Sequence, residues 1–469
     1  MKQLLFQEFE EVSAKQWKQK IQADLKGADY NEKLVTKTLH GIDIKPFYSS
    51  EDVQETLQVS NPAHWNNCEK IYVSSAEAAN KKALDRLQKG TEAIWFILPS
   101  KEIDFAELFN DLPAEITVYL KPEFLDADYI QKLNEFLVGK DYKVFLQTDI
   151  IGKLARSGNW FNNLKADHSE FEKILKNSSN LESVVSIDLG LYQNAGANIP
   201  QQLAYSIAHV SEYLNHLDQL GFSEEKRSKF TFQFIVSVGS DYFFEISKIR
   251  ALRWIFATVA KEFGFNTECH IVAQPTKRTK TLYDYNVNLL RTTTESMSAI
   301  LGGANAIYNM PYDAIYHKDN EFGDRIARNQ LLIMRNESYL DKVGNVAEGT
   351  YYIETLTKQL AEKALDIFKD IEKGGGFLKE LKSGVIQKKI KESAALEQEK
   401  YNNGELVLIG TNKFENPQDR MREDIELYPF LKKNPRKTLI EPILEKRLSE
   451  DSEQKRLEEE KQSQPTQQN

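Results

Sequence analysis

The chain has 469 residues, 41% of them apolar and 28% charged, with a formal net charge of −9. That length is enough for one large α/β domain with additions, and the acidic balance excludes the basic face that a nucleic-acid or anionic-membrane surface requires. No apolar run reaches the ~18 residues of a membrane span, and the N-terminus turns polar too soon for a signal peptide. Only Cys68 and Cys269 are present, far apart in sequence, so neither a disulfide framework nor a CxxC metal site is expected and a reducing cytoplasm fits best.

Residues 1–75 read as an arm. "SAKQWKQKIQADLKG" predicts a helix with Trp17, Ile21 and Leu25 on one face, Ser13 as N-cap and Gly27 as C-cap. "GIDIKPFYSSEDV" then runs extended, because a proline disfavours helix at the residue before it. An arm without its own core is expected to pack on another surface, in this chain or in a partner.

From residue 76 to 373 β-rich runs alternate with helical ones. Strands are predicted at 93–98, 115–120, 143–148, 183–189, 230–238, 269–274 and 304–310, with a weak eighth at "DKVGNV" (341–346). The helix after residue 242 places Ile246, Ile249, Phe256 and Val259 near one face and stops at Gly264. Eight strand–helix units predict a (β/α)8 barrel, with an open parallel sheet as the alternative. Residues 374–444 form an extension: a basic helix after Gly374-Gly375-Gly376, then a short β segment, "ELVLIGTNKF". Residues 445–469 are charged, then Gln/Ser/Pro-rich, and are expected to be disordered for want of apolar residues to bury.

Chemistry-bearing motifs are scarce. There is no Walker loop, GxGxxG, HExxH or GxSxG, and Gly302-Gly303 reads as a helix stop before a strand. His40, His64 and His168 have no second ligand at metal spacing. His209 and His216 are seven apart on one helix, without the i,i+4 spacing or acidic cluster of a metal site. His270 begins a strand and is expected to pack in the barrel, since only the C-terminal strand ends reach an active face. Asp149, Asp188 and Asp241 lie near such ends, and Asp188 precedes the small-residue turn "NAGAN". "RTTTESM" and "FGDRIARNQ" are expected to carry arginine and glutamate contacts that fasten helices to the barrel.

Several segments together resemble the methylmalonyl-CoA mutase family: "NAGANIPQQLAYSIAHVSEYL", "NVNLLRTTTESMSAILGGANAIYNMPYDA", "FGDRIARNQLLIMRNES", "VAEGTYYIETLTKQLAEKAL" and "GELVLIGTNKF". The resemblance spans about residues 10–440. It implies a (β/α)8 barrel that takes acyl-CoA along its axis, a separate cobalamin domain, and radical interconversion of methylmalonyl-CoA and succinyl-CoA.

Departures from the family pattern shape the expectation. The cobalt-ligating Asp-x-His-x-x-Gly motif is absent, and only 55 residues follow "GTNKF". In "GLYQNAGA", Gln193, Ala195, Gly196 and Ala197 match the catalytic segment, but Leu191 stands where a histidine would steady the thioester carbonyl. "HWNNCEKIYVS" keeps Trp65 and puts Lys70 at the place of a cofactor-facing tyrosine. The "HTN"-type ending is Tyr308-Asn309-Met310; His270 matches, but Val272 replaces a glutamine. The resemblance therefore implies the smaller, barrel-retaining subunit of a heterodimeric member. That subunit has no catalytic, cofactor-binding or metal residues of its own, and adenosylcobalamin is held by the large catalytic (alpha) partner. The alternative is the barrel chain of a split acyl-CoA mutase working with a separate cobalamin-binding chain. The sequence does not decide whether this barrel binds acyl-CoA, since such contacts are spread over many positions.

Overall fold

The computed structural model describes residues 8–53, 55–432 and 435–463. Eight parallel strands close into a barrel in sequential order: β1 (Asn66–Tyr72), β2 (Ala93–Leu98), β3 (Thr117–Pro122), β4 (Lys143–Thr148), β5 (Ser183–Asp188), β6 (Thr231–Val238), β7 (Cys269–Pro275) and β8 (Ala306–Tyr308). Ala306 closes the ring by pairing with Val272 on one side and Asn66 on the other. This is a (β/α)8 barrel. Because side chains alternate along each strand, one set packs outward against the helices as the main core, and the other fills the interior.

Seven strands lie where the hydrophobic pattern places them, within two residues at most ends. The remaining one does not: residues 341–346 form turns, and the missing strand is β1, inside the segment read as an arm. Its charged Glu69 and Lys70 disguise the alternation. Glu69 faces outward, where Arg328 reaches it at 2.6 Å and Arg86 at 3.2 Å, and Arg86 also binds Asp324 at 2.5 Å. Arg328 of "FGDRIARNQ" thereby fastens the last barrel helix to β1. In "RTTTESM" the buried partner of Glu295 is Lys280, at 2.6 Å, rather than an arginine.

The arm helix Ala14–Asp24 starts at the expected Ser13, which forms a capping box with Gln16, and it buries none of its residues in this chain. It ends at Leu25, two residues before the predicted Gly27. Residues 1–7 of the arm lie outside the described residues.

Three C-terminal expectations are corrected. The basic helix is two, Phe377–Lys382 and Val385–Asn402, broken at Gly384, whose φ of +80° an L side chain rarely adopts. "ELVLIGTNKF" forms no strand; its backbone is tied by Asn412, which accepts from Leu408 N and donates to Tyr401 O and Leu406 O. Within the tail, Glu450–Ser463 is a docked helix, while residues 464–469 lie outside the described set. Composition misses this helix because buried acids hold it, with Leu457 its one apolar side chain packed on a core cluster. Glu453 accepts from Leu282 N at 2.8 Å and pairs with Arg447, and Tyr283 donates to Glu460 at 2.5 Å. A buried carboxylate is tolerated when hydrogen bonds and an opposite charge replace its water.

Candidate functional site

The C-terminal ends of the strands form the face where barrel sites are built. On β5, Asp188 accepts from Gly190 N at 2.9 Å and turns the chain into the short helix Gly190–Asn194. A Cβ on Gly190 would lie 2.5 Å from Ser237 Oγ and 2.9 Å from Asp188 Oδ1, so a larger residue here would have to displace both side chains. Asn198 then caps the long helix Ile199–Gln219, forming a capping box with Gln201. The turn thus has the backbone of a site rim, but its inward side chain is Leu191, 2% exposed and apolar.

Beneath the mouth, the axis is filled. Tyr308, Trp95, Tyr119, Phe145 and His270, from β8, β2, β3, β4 and β7, form a chain of ring contacts across the interior, with successive centroids 6.3, 6.3, 5.3 and 4.1 Å apart. Cys68, Ala93, Ile235, Val272 and Ala306 fill the space around them. His270 Nε2 shares a 2.8 Å hydrogen bond with Tyr119 Oη, and burial, reinforced by the charge of Arg253, pulls its pKa down to about 3. It is a neutral, packed imidazole in this interior layer.

Lys70 closes the interior from above. Its Nζ lies 4.0 Å from the ring centre of Trp95 and 4.2 Å from that of Tyr308, and donates to Gln274 Oε1 at 2.9 Å. Burial and the nearby cations Lys121 and Lys277 pull this amine down to about 7, while the two ring faces and the amide oxygen favour its charged form. Lys70 and Tyr308, flagged separately in sequence, are therefore brought together.

Beside the axis, a cavity of about 490 Å³ opens over β3, β4 and β5. Leu191, Asp149, Asp188 and His209 line it together with Gln147, Lys121 and Arg156. Asp149 caps the helix Ile150–Ser157 through Gly152 N at 2.7 Å and accepts from Tyr213 Oη at 2.8 Å. His209 Nε2 lies 3.0 Å from Asp149 Oδ1, and its Nδ1 is 2.9 Å from Tyr192 Oη. Burial alone would raise the Asp149 carboxyl, but the His209 charge and these bonds together hold it below the usual carboxylate value. Asp188 is held by Arg156 at 2.8 Å.

The segment 439–448 crosses this face as a strap. Ile443 N bonds Ala155 O, Lys446 N bonds Asn194 O and Leu448 N bonds Arg278 O, so it passes over the ends of β4, β5 and β7 in turn. Its Glu445 pairs with Arg156 and accepts from Asn194 at 3.1 Å.

The other flagged residues do not line this cavity. Trp65 packs under Arg335, with its indole donating to Leu340 O. Asn309 bonds Ala327 O and Gln330, and Met310 is buried. Asp241 is half exposed, 3.7 Å from His40, and His64 is exposed. His168 and His216 form an edge-to-face pair on the outer helices. Among the described residues, no group of three or more histidine, cysteine or carboxylate side chains is placed to hold a metal, and no helix is long and apolar enough to cross a membrane.

The motif reading missed the filled axis and the cavity floor. The signal was the strand alternation: Ala93-Trp95-Ile97, Thr117-Tyr119-Lys121 and Phe145-Gln147 are the every-second-residue sets of three adjacent strands.

The sequence pattern of the methylmalonyl-CoA mutase family matches residues 129–463. The chain is 32% identical over 459 residues to the methylmalonyl-CoA mutase small subunit of Porphyromonas gingivalis, covering 88% of this chain and 72% of that protein. This chain belongs to the methylmalonyl-CoA mutase family. A second small subunit, from Streptomyces virginiae, is 28% identical over 87% of this chain and 71% of its own length. The large subunit from Porphyromonas gingivalis is 28% identical, over 53% of this chain and 36% of its own length. Family membership makes the filled axis and Leu191 the informative features, since the matched residues include Leu191 and, of the axis rings, Phe145, His270 and Tyr308.

Proposed function

We propose that this chain is the non-catalytic small subunit of a heterodimeric methylmalonyl-CoA mutase, supporting a large subunit that holds adenosylcobalamin and interconverts methylmalonyl-CoA and succinyl-CoA. The observation that carries this reading is the filled axis: aromatic rings from five strands, capped by Lys70, occupy the path an acyl-CoA would follow. Leu191 adds to it, since an alkyl group offers no hydrogen bond to a carbonyl oxygen.

The residues at this mouth do not fit a cobalamin. His270 is neutral, buried and bonded to Tyr119, and both ring nitrogens of His209 are engaged by Asp149 and Tyr192, so neither imidazole is free to ligate cobalt. No catalytic step is therefore assigned to this chain.

The arm is the segment best suited to the partner. Trp17 is 53% exposed and meets the Phe47 ring edge on, at 6.2 Å between centroids. A tryptophan left so open gains most by burial against another chain. Small and large subunits both occur in Porphyromonas gingivalis, which supports a two-chain assembly. Two buried, unbridged cysteines support a reducing, cytoplasmic setting. Co-expression with a tagged large subunit tests the reading. A stoichiometric complex is expected, weakened by Trp17→Asp; a chain that stays free at micromolar concentration overturns it.

A further inference from the structure

We propose that the cavity beside the barrel axis binds a free short-chain carboxylic acid carrying a second hydrogen-bonding group, and that it does not take a CoA thioester. The floor gives the first reason. Gln147, Thr148 and Ser186 are 5, 5 and 3% exposed, and both polar atoms of Gln147 and the hydroxyls of Thr148 and Ser186 have no hydrogen-bond partner among the described residues. Each such group left dry costs about 1–3 kcal/mol, so the floor is built to be met by hydrogen-bonding atoms.

The rim gives the second. Asp149 is committed to His209, Tyr213 and Gly152, and Asp188 and Arg156 are committed to each other, with Glu445 completing the arginine's partners. Lys121 meets Asp188 no closer than 3.9 Å, with Glu445 farther off, and Lys153 Nζ sits 5.1 Å from the Phe161 ring centre with no carboxylate in ion-pair range among the described residues. Glu123, on the same rim, is exposed to solvent. Two under-used cations at the rim and two hydroxyls and an amide at the floor define the ends of the ligand. Phe124, Phe161, Leu191 and Ile235 line the wall for a short apolar body between them.

Size and shape give the third. A volume of about 490 Å³ falls in the range of small-molecule pockets. The neighbouring axis is filled by Trp95, Tyr119 and Phe145, so a pantetheine arm has no path along it. The site therefore selects the acid over its CoA thioester. It does not depend on the assignment of the large subunit.

Isothermal titration of the full chain alone tests this, with succinate, butyrate, succinyl-CoA and inorganic phosphate as probes. Saturable succinate binding is expected, with butyrate at least tenfold weaker and the thioester and phosphate showing none. Lys121→Met and Lys153→Met are each expected to lower succinate affinity about tenfold, and the exposed Lys101→Met to leave it unchanged. Both lysines are half-buried without hydrogen-bonded carboxylates, so their removal spares the fold, as a circular dichroism melt verifies. The inference is overturned if no probe saturates, which leaves the floor to water. It is also overturned if succinyl-CoA or phosphate matches succinate, or if the two lysine variants bind as the wild type does. Complex formation with the large subunit is scored separately, so failure here and failure of the subunit assignment are distinguishable.

Discussion

Asp149 organises the cavity wall, and its removal has a calculable cost. In Asp149→Ala the helix Ile150–Ser157 loses its cap, worth about 1 kcal/mol. Tyr213 Oη and the His209 ring, both buried, lose the carboxylate they share, at about 1–3 kcal/mol each. The sum is about 5 kcal/mol, roughly several thousandfold in the folding constant. Asp149→Asn keeps an acceptor for Gly152 and Tyr213 and loses only the charge, so about half the effect is expected. Equilibrium urea unfolding followed by circular dichroism and tyrosine fluorescence measures both variants. A loss under 1 kcal/mol in the alanine variant, or equal losses in the two, refutes the reasoning. The pH dependence supplies an independent check. The folded carboxyl titrates below its ordinary 3.8, so its contribution is complete above that value and is lost as pH falls through the folded pKa. Asp149→Asn should flatten the acid limb of the stability curve below about pH 4 and leave the neutral region parallel to wild type.

Three further outcomes follow from particular contacts. Gly196→Ala places a Cβ 2.4 Å from that of Ala394 at a φ of +98°, so a loss above ~2 kcal/mol is expected by thermal or urea unfolding. Arg328→Met removes one of two guanidinium partners of Glu69 and leaves Arg86; the expected cost is about 2 kcal/mol, short of the 3–5 of a fully orphaned buried charge. Trp17→Asp changes the stability of the isolated chain by under ~0.5 kcal/mol, because the ring is mostly in water, and its effect is expected in subunit association by analytical ultracentrifugation.

The strands legible from sequence were those whose outward residues are continuous apolar runs, as in "AIWFIL" and "KVFLQT". β1 was not, because Glu69 and Lys70 point to opposite sides and are satisfied by polar partners on other elements: Arg86 and Arg328 for Glu69, and Gln274, 204 positions away, for Lys70. The tail helix failed to show for the same reason, since Glu453 and Glu460 are held by Arg447 and by backbone or hydroxyl donors rather than by an apolar face. Long-range pairing of charges leaves no local periodicity to read. At the site, Leu191 and Lys70 stood out through the family resemblance, and the structure puts one on the cavity wall and the other over the rings on the axis. The rings themselves were readable by strand parity once the barrel was accepted. The cavity was not, because its floor of Gln147, Thr148 and Ser186 looks like ordinary strand-end composition until its hydrogen bonds are found missing.

We propose that this barrel supports chemistry without performing it. The direct measurement is conversion of methylmalonyl-CoA to succinyl-CoA by the purified chain with added adenosylcobalamin, and then with the large subunit as well. No turnover above background is expected from the chain alone, and full activity only in the two-chain mixture. Turnover by the chain alone, or with only a small cobalamin-binding protein added, would contradict it.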